Sequence, residues 1–187
     1  MISNQKGVGL IEVLVALMLL AIAVLGFSAM QLTALKATDE SVQRTRALTV
    51  LRGAAEMMRA NADGIADFKS ALNGTATTVA IDSGAITKDS CITATCTIKQ
   101  LAVKDALTVK QYAIDNELNV SIVTCPGTGT TTTTVASVST TLSGQERQCF
   151  VASWGTTNAT LGTETNDCAD ANGVYKVGAQ CFIMEAY

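Results

Sequence analysis

Apolar residues crowd the start of the chain and then thin into a periodic pattern. Between Lys6 and Lys36 the only charged residue is Glu12. Val13 to Met30 is uninterrupted by charge and reaches the ~18-residue length of a bilayer-crossing helix. A carboxylate near the start of such a helix is costly, roughly 2.5–3.5 kcal/mol for an acidic side chain at mid-membrane. A plain anchor has no use for it, so Glu12 is expected to meet a partner. Beyond Met30, Leu32, Leu35 and Val42, then Leu48, Leu51, Ala55 and Met58, recur at three- to four-residue steps. Lys36, Asp39, Glu40, Arg44, Arg46 and Arg59 fall mostly between them, which is the signature of an amphipathic helix. Asn61-Ala-Asp-Gly64 carries C-terminal capping chemistry and predicts the helix end. Only ~30 Å of so long a helix is needed to cross hydrocarbon, so the rest is expected to pack its apolar face on a head domain.

The remainder of the chain predicts that head. Residues 64–90 are rich in Gly, Thr and Ala and read as a connection with short helical or strand pieces, Ile65–Leu72 among them. A helical pattern returns from Ile98 to about Leu118, with Leu101, Ala102, Leu107 and Tyr112 as inner-face candidates. Then β-formers dominate in Leu118–Thr124, Thr131–Ser139, Gln148–Trp154 and Val174–Glu185. Turn residues such as Pro126-Gly127 and Asn172-Gly173 separate them. Helices followed by consecutive strands predict an α+β fold with a small antiparallel sheet.

Composition narrows the function. In 187 residues there is no histidine, which removes the commonest general base and metal ligand. A net charge of −3 and only 4% aromatic residues argue against a nucleic-acid surface. The six cysteines, Cys91, Cys96, Cys125, Cys149, Cys168 and Cys181, suit disulfides in an oxidising compartment. Spacing does not choose among their pairings. Cys91 and Cys96 are close enough for a small local loop, and Cys125 with Cys149 and Cys168 with Cys181 are candidate strand or loop ties. No nucleophile–base pair, phosphate loop or metal motif stands out, so neither catalysis nor a cofactor is expected.

The N-terminus itself carries a family pattern: Gly7, then Val8-Gly9-Leu10-Ile11-Glu12-Val13-Leu14-Val15-Ala16-Leu17. This resembles the type IV pilin class. The resemblance implies that a membrane prepilin peptidase cuts after Gly7 and methylates the new amine on Val8, leaving Glu12 fifth in the mature chain. Val8 and Gly9 stand where most major pilins have phenylalanine and threonine. The amine would lie about four residues, ~6 Å along the helix, from Glu12, and in a staggered fibre it can approach a neighbour's carboxylate. The implied organisation is a leader at 1–7, a transmembrane and assembly helix at 8–30, the amphipathic half of the spine at 31–61, and a periplasmic head at 62–187. The pilin-like fold so implied is a long N-terminal helix on an antiparallel β-sheet head with disulfides.

Looser features resemble minor pilins of the PilV type. They are Cys96 leading into a mid-chain helix, the Pro126-Gly127 turn, the strand Phe150-Val-Ala-Ser-Trp154, and the cysteine-bearing last strand Cys181–Glu185. That resemblance implies a subunit that primes pilus assembly. Its partners would be prepilin peptidase, other minor pilins, the major pilin, the inner-membrane assembly platform and a tip adhesin. Its location would be the bacterial inner membrane with the N-terminus cytoplasmic, then the fibre. A pseudopilin of a type II secretion system shares the same leader, and a membrane-anchored adhesin is the alternative from a different class. Thr130–Thr134 reads as an exposed hairpin arm, the sequons at Asn73 and Asn158 as chance, and Asp167–Asn172 as a solvated loop in preference to a calcium site.

Overall fold

The computed structural model describes residues 9–128, 130–135, 138–143 and 146–186. Helix α1 spans Leu10–Ala60. A single 3-10 turn at Ala62–Gly64 leads into α2, Ile65–Asn73. Strands β1 (Val79–Ile81) and β2 (Gly84–Ile86) form a hairpin ahead of α3, Ile98–Asp115. Seven further strands follow: β3 (Asn119–Thr124), β4 (Thr130–Val135), β5 (Val138–Ser143), β6 (Gln148–Ser153), β7 (Asn158–Leu161), β8 (Asp167–Ala169) and β9 (Cys181–Glu185). The chain divides into two compact units, one ending at Val42 and the other beginning at Gln43.

The first unit is helix throughout its described length after Gly9. Gly26 does not interrupt it. Its few hydroxyls are satisfied internally: Ser28 Oγ donates to the Val24 carbonyl at 2.9 Å and Thr33 Oγ1 to the Ala29 carbonyl at 3.1 Å. A helix that closes its own polar groups this way can lie in apolar surroundings without orphaned donors.

In the second unit the packed stripe of α1 is Ala47, Val50, Leu51, Ala54, Ala55 and Met58. Leu32, Leu35 and Val42, expected on the same inner face, are exposed. Burial starts at Ala47. Phe68 and Leu72 of α2, Ala102, Val103, Ala106 and Leu107 of α3, and Ile122, Phe150 and Ala152 of the sheet complete one core. Phe68 and Phe150 meet edge to face, with centroids 6.4 Å apart. Gly64 belongs to this packing: a Cβ there would stand 2.5 Å from Ala102 Cβ. Predicted as a helix cap, the glycine in fact allows α3 to cross the start of α2.

Helix α3 starts on a capping box, in which Gln100 N donates to Thr97 Oγ1 at 3.2 Å and Thr97 N to Gln100 Oε1 at 3.0 Å. Its inner face differs from expectation. Leu101 is 40% and Tyr112 52% exposed, while Ala102, Val103, Ala106, Leu107, Val109 and Ala113 are buried. Ala102 and Leu107 lie inside as expected, whereas Leu101 and Tyr112 do not; the closely packed α2 favours the alanine-rich stripe of α3.

The main sheet is antiparallel with order β3-β6-β9, as the α+β reading requires. Three details depart from the strand predictions. Thr131–Ser139 is not one strand but parts of two, β4 and β5. Val174–Glu185 is a strand only from Cys181, because the turns at Gly173 and Gly178, both at positive φ, occupy the earlier part. Strands β7 and β8, absent from the prediction, form a short parallel pair.

Candidate assembly site

Gly9 opens α1. Its carbonyl accepts Glu12 N at 2.9 Å and Val13 N at 3.4 Å, so Glu12 stands in the first helical turn. There its carboxylate complements the positive end of the helix dipole, an effect of about 0.3–1 kcal/mol. Around it Leu10, Ile11, Leu14, Leu17 and Met18 are exposed, as are the large apolar residues onward to Leu35. No hydrogen bond or ion pair to the Glu12 side chain occurs among the described residues. An exposed uncharged surface of this length is suited to a bilayer or to other apolar helices. Gly7 and Val8, the expected cleavage and methylation positions, lie outside the described residues.

The cysteines form three bridges: Cys91–Cys96, Cys125–Cys149 and Cys168–Cys181, with Cα separations of 5.5, 4.9 and 5.8 Å. The second ties the chain leaving β3 to β6, and the third ties β8 to β9. Cys168 and Cys181 pack in a small core of their own with Val151 and Ala159. Trp154 is buried in the main core, as an anchor and not a ligand platform.

Other polar candidates serve the fold. Asp167 is buried, accepting Thr160 Oγ1 at 2.5 Å and Glu164 N at 3.0 Å. Asp170 accepts the backbone N–H groups of Val174 and Asn172, both at 2.9 Å, and the Val174 bond above all holds its carboxyl below the ordinary range. The stretch Asp167–Asn172, expected as a solvated loop, instead begins as the buried strand β8, and Asp170 braces the turn that follows it. Glu146 is likewise held low, first by the hydrogen bond from Thr124 and then by that from Gln148. Lys110 donates to the carbonyls of Gly74 and Ala76, and burial lowers its pKa. The Asn73 amide brackets Ile122, donating to its carbonyl and accepting its N–H, both at 2.8 Å. Neither Lys110 nor Asn73 was singled out as structural from sequence. Their partners lie 36 and 49 residues away, beyond any local pattern.

A long N-terminal helix packed on a small antiparallel sheet, braced by three disulfides, is a pilin-like α+β fold. A family profile described as the prokaryotic N-terminal methylation motif matches residues 2–28. A second, described as Type IV pilin Tt1218, matches residues 29–107. Neither a search of curated proteins nor one of solved structures found a match. The two matched stretches run consecutively from the exposed helix into α3, and together they support a type IV pilin. The motif and the apolar helix fit a membrane-anchored pilin, which implies processing by a prepilin peptidase and assembly with other pilins. The pilin family is a structural one.

Proposed function

We propose that the chain is a minor pilin, of the PilV type, that primes type IV pilus assembly and joins the fibre through its N-terminal helix. Residues 1–7 are the leader, cut after Gly7 by prepilin peptidase with methylation of the Val8 amine. Residues 8–30 hold the protein in the inner membrane, N-terminus cytoplasmic, and later pack among other pilins. Residues 31–61 extend the spine, and 62–187 form the periplasmic head.

The observation that carries this reading is Glu12, the lone charge in the first turn of α1 and in the exposed apolar stretch that follows it to Leu35, within the matched methylation motif. In low dielectric, opposite charges attract strongly and an unpaired one is costly. A neighbour's newly exposed amine at Val8 satisfies that need and sets the axial register of one subunit on the next. Pairing with other minor pilins, the major pilin, the assembly platform and a tip adhesin follows from the same role. The features of the head that favour the PilV type are the bridged Cys96 before α3, the Pro126-Gly127 turn and the buried Trp154 after β6.

The test is intact-mass and N-terminal peptide spectrometry of protein recovered from its cells. The expected species begins at Val8 with one added methyl group. A chain still beginning at Met1, or trimmed beyond Glu12, removes the basis of the proposal. Loss of piliation on deletion, with type II secretion unaffected, separates a pilin from a pseudopilin.

A further inference from the structure

The three bridges of the head sit in unlike surroundings. Cys125, Cys149, Cys168 and Cys181 are all buried. Cys91 and Cys96 are only half-buried, and residues 92–95 between them are exposed. Cys91 also stands at φ +66°, a left-handed backbone that a non-glycine residue rarely adopts and keeps only where its surroundings impose it. Exposed or strained disulfides exchange with external thiols, whereas buried ones are shielded until the fold opens.

What the half-buried bridge holds is local. It closes the connection between β2 and α3, and Cys96 directly precedes Thr97, the cap of α3. Ahead of it, Thr87 N donates to Ser90 Oγ at 3.0 Å and Ser90 N to the Thr87 carbonyl at 3.2 Å, so a tight turn leads from β2 to Cys91. Behind it, the Thr97 hydroxyl accepts Gln100 N and donates to Asp82 Oδ2 at 2.9 Å. Gln100 Nε2 donates to the Ile81 carbonyl at 3.4 Å. The start of α3 is thus tied to the β1–β2 turn, and the bridge shortens the tether between them. Neither Cys91 nor Cys96 belongs to a hydrophobic core cluster. With a separation of 5 their bridge also restrains the unfolded chain least of the three, so its loss leaves the cores in place.

We propose that Cys91–Cys96 is a thiol–disulfide exchange site, opened selectively by a dithiol, and that its opening frees the β1–β2 hairpin from the start of α3. One thiolate of the dithiol attacks a bridge sulfur, forming a mixed disulfide, while the other cysteine leaves as a thiolate. The second thiolate of the dithiol then closes on the first, and the remaining cysteine is released. Two electrons pass to the protein, the dithiol ends as its own disulfide, and its two protons end on Cys91 and Cys96. Once the bridge is open, Cys91 is free to leave its left-handed backbone and the Asp82–Thr97 contact loses its short tether. The inference is independent of the pilin reading, since it uses only the head.

The experiment treats the full chain in detergent micelles with dithiothreitol at mildly alkaline pH. Free thiols are alkylated at intervals and located by peptide mass, with hydrogen–deuterium exchange read in parallel. Cys91 and Cys96 are expected to take the label together, at least about tenfold faster than the other four cysteines. Exchange should rise over residues 79–86 and 97–101, while Asn119–Thr124 and Gln148–Ser153 keep theirs. A chain carrying both Cys91→Ser and Cys96→Ser should show that rise without reductant and take up no fast label. Opening of another bridge first, or of all three at one rate, overturns the selectivity. Selective opening with unchanged exchange over 79–86 and 97–101 overturns the release of the hairpin. Both of these outcomes are read on the unaltered chain and hold even if the double variant fails to fold.

Discussion

The side chain of Asn73, at the end of α2, closes both backbone hydrogen bonds of Ile122 on β3. One amide thus stands in for a neighbouring strand and fixes the helix layer to the sheet. Replacing Asn73 by Ala leaves two backbone groups without a protein partner, at a cost of about 1–3 kcal/mol. Urea unfolding of the oxidised protein should report that loss. Asn73→Asp keeps the acceptor but removes the donor, and should fall between Ala and the native residue.

Glu12→Ala is expected to insert in the membrane as well as the native chain, or better, because it removes a costly charge. It should fail to enter fibres. Membrane fractionation and immunoblotting of sheared pili separate the two outcomes, and normal incorporation would refute the pairing of Glu12 with a neighbour's amine.

The close approach at Gly64 gives a packing test. Gly64→Ala sets a Cβ 2.5 Å from Ala102 Cβ, and overpacking of this kind costs about 1–3 kcal/mol. Adding Ala102→Gly should recover part of it. A double-mutant cycle that shows simple additivity rejects the direct clash.

The bridges should differ in weight. By loop closure alone, Cys125–Cys149, with a separation of 24, restrains the unfolded chain more than Cys168–Cys181 at 13 or Cys91–Cys96 at 5. Paired Ser replacements are expected to follow that order, the first losing about 2–4 kcal/mol in thermal unfolding.

Acid should loosen the loop from Asp170 to Lys176. The carboxyl of Asp170 is held low in the folded state, so its contribution is present above the ordinary aspartate range and is lost as pH falls through the folded value. Asp170→Asn should flatten that part of the stability-versus-pH curve. The Val174 amide resonance, followed by NMR, should shift over the same acid range in the native protein only.

Much of the assembly region was legible in the chain because its signals are local. An uncharged run, one carboxylate and a capping sequence near Asn61 need no distant partner to be read, and α1 ends at Ala60 accordingly. Thr97 and Gln100 also mark the start of α3 within one turn, a local capping signal that the sequence reading did not use. The inner face of α3 was legible in part: Ala102 and Leu107 are buried as expected, but Leu101 and Tyr112 face outward because the close packing of α2 favours alanines. Strands β7 and β8 escaped notice for a similar reason. They are four and three residues long and pair in parallel, so neither length nor alternation marks them.

By itself, then, the sequence determined the long helix, the placement of Glu12 in its opening turn and the mixed α+β character of the head, because each follows from short-range periodicity and capping. Tertiary structure alone decided which cysteines meet, that Leu101 and Tyr112 of α3 face outward, and that Asn73 closes the backbone of Ile122 on β3. Those outcomes rest on contacts between residues far apart in the chain, where geometry and not pattern selects the partner.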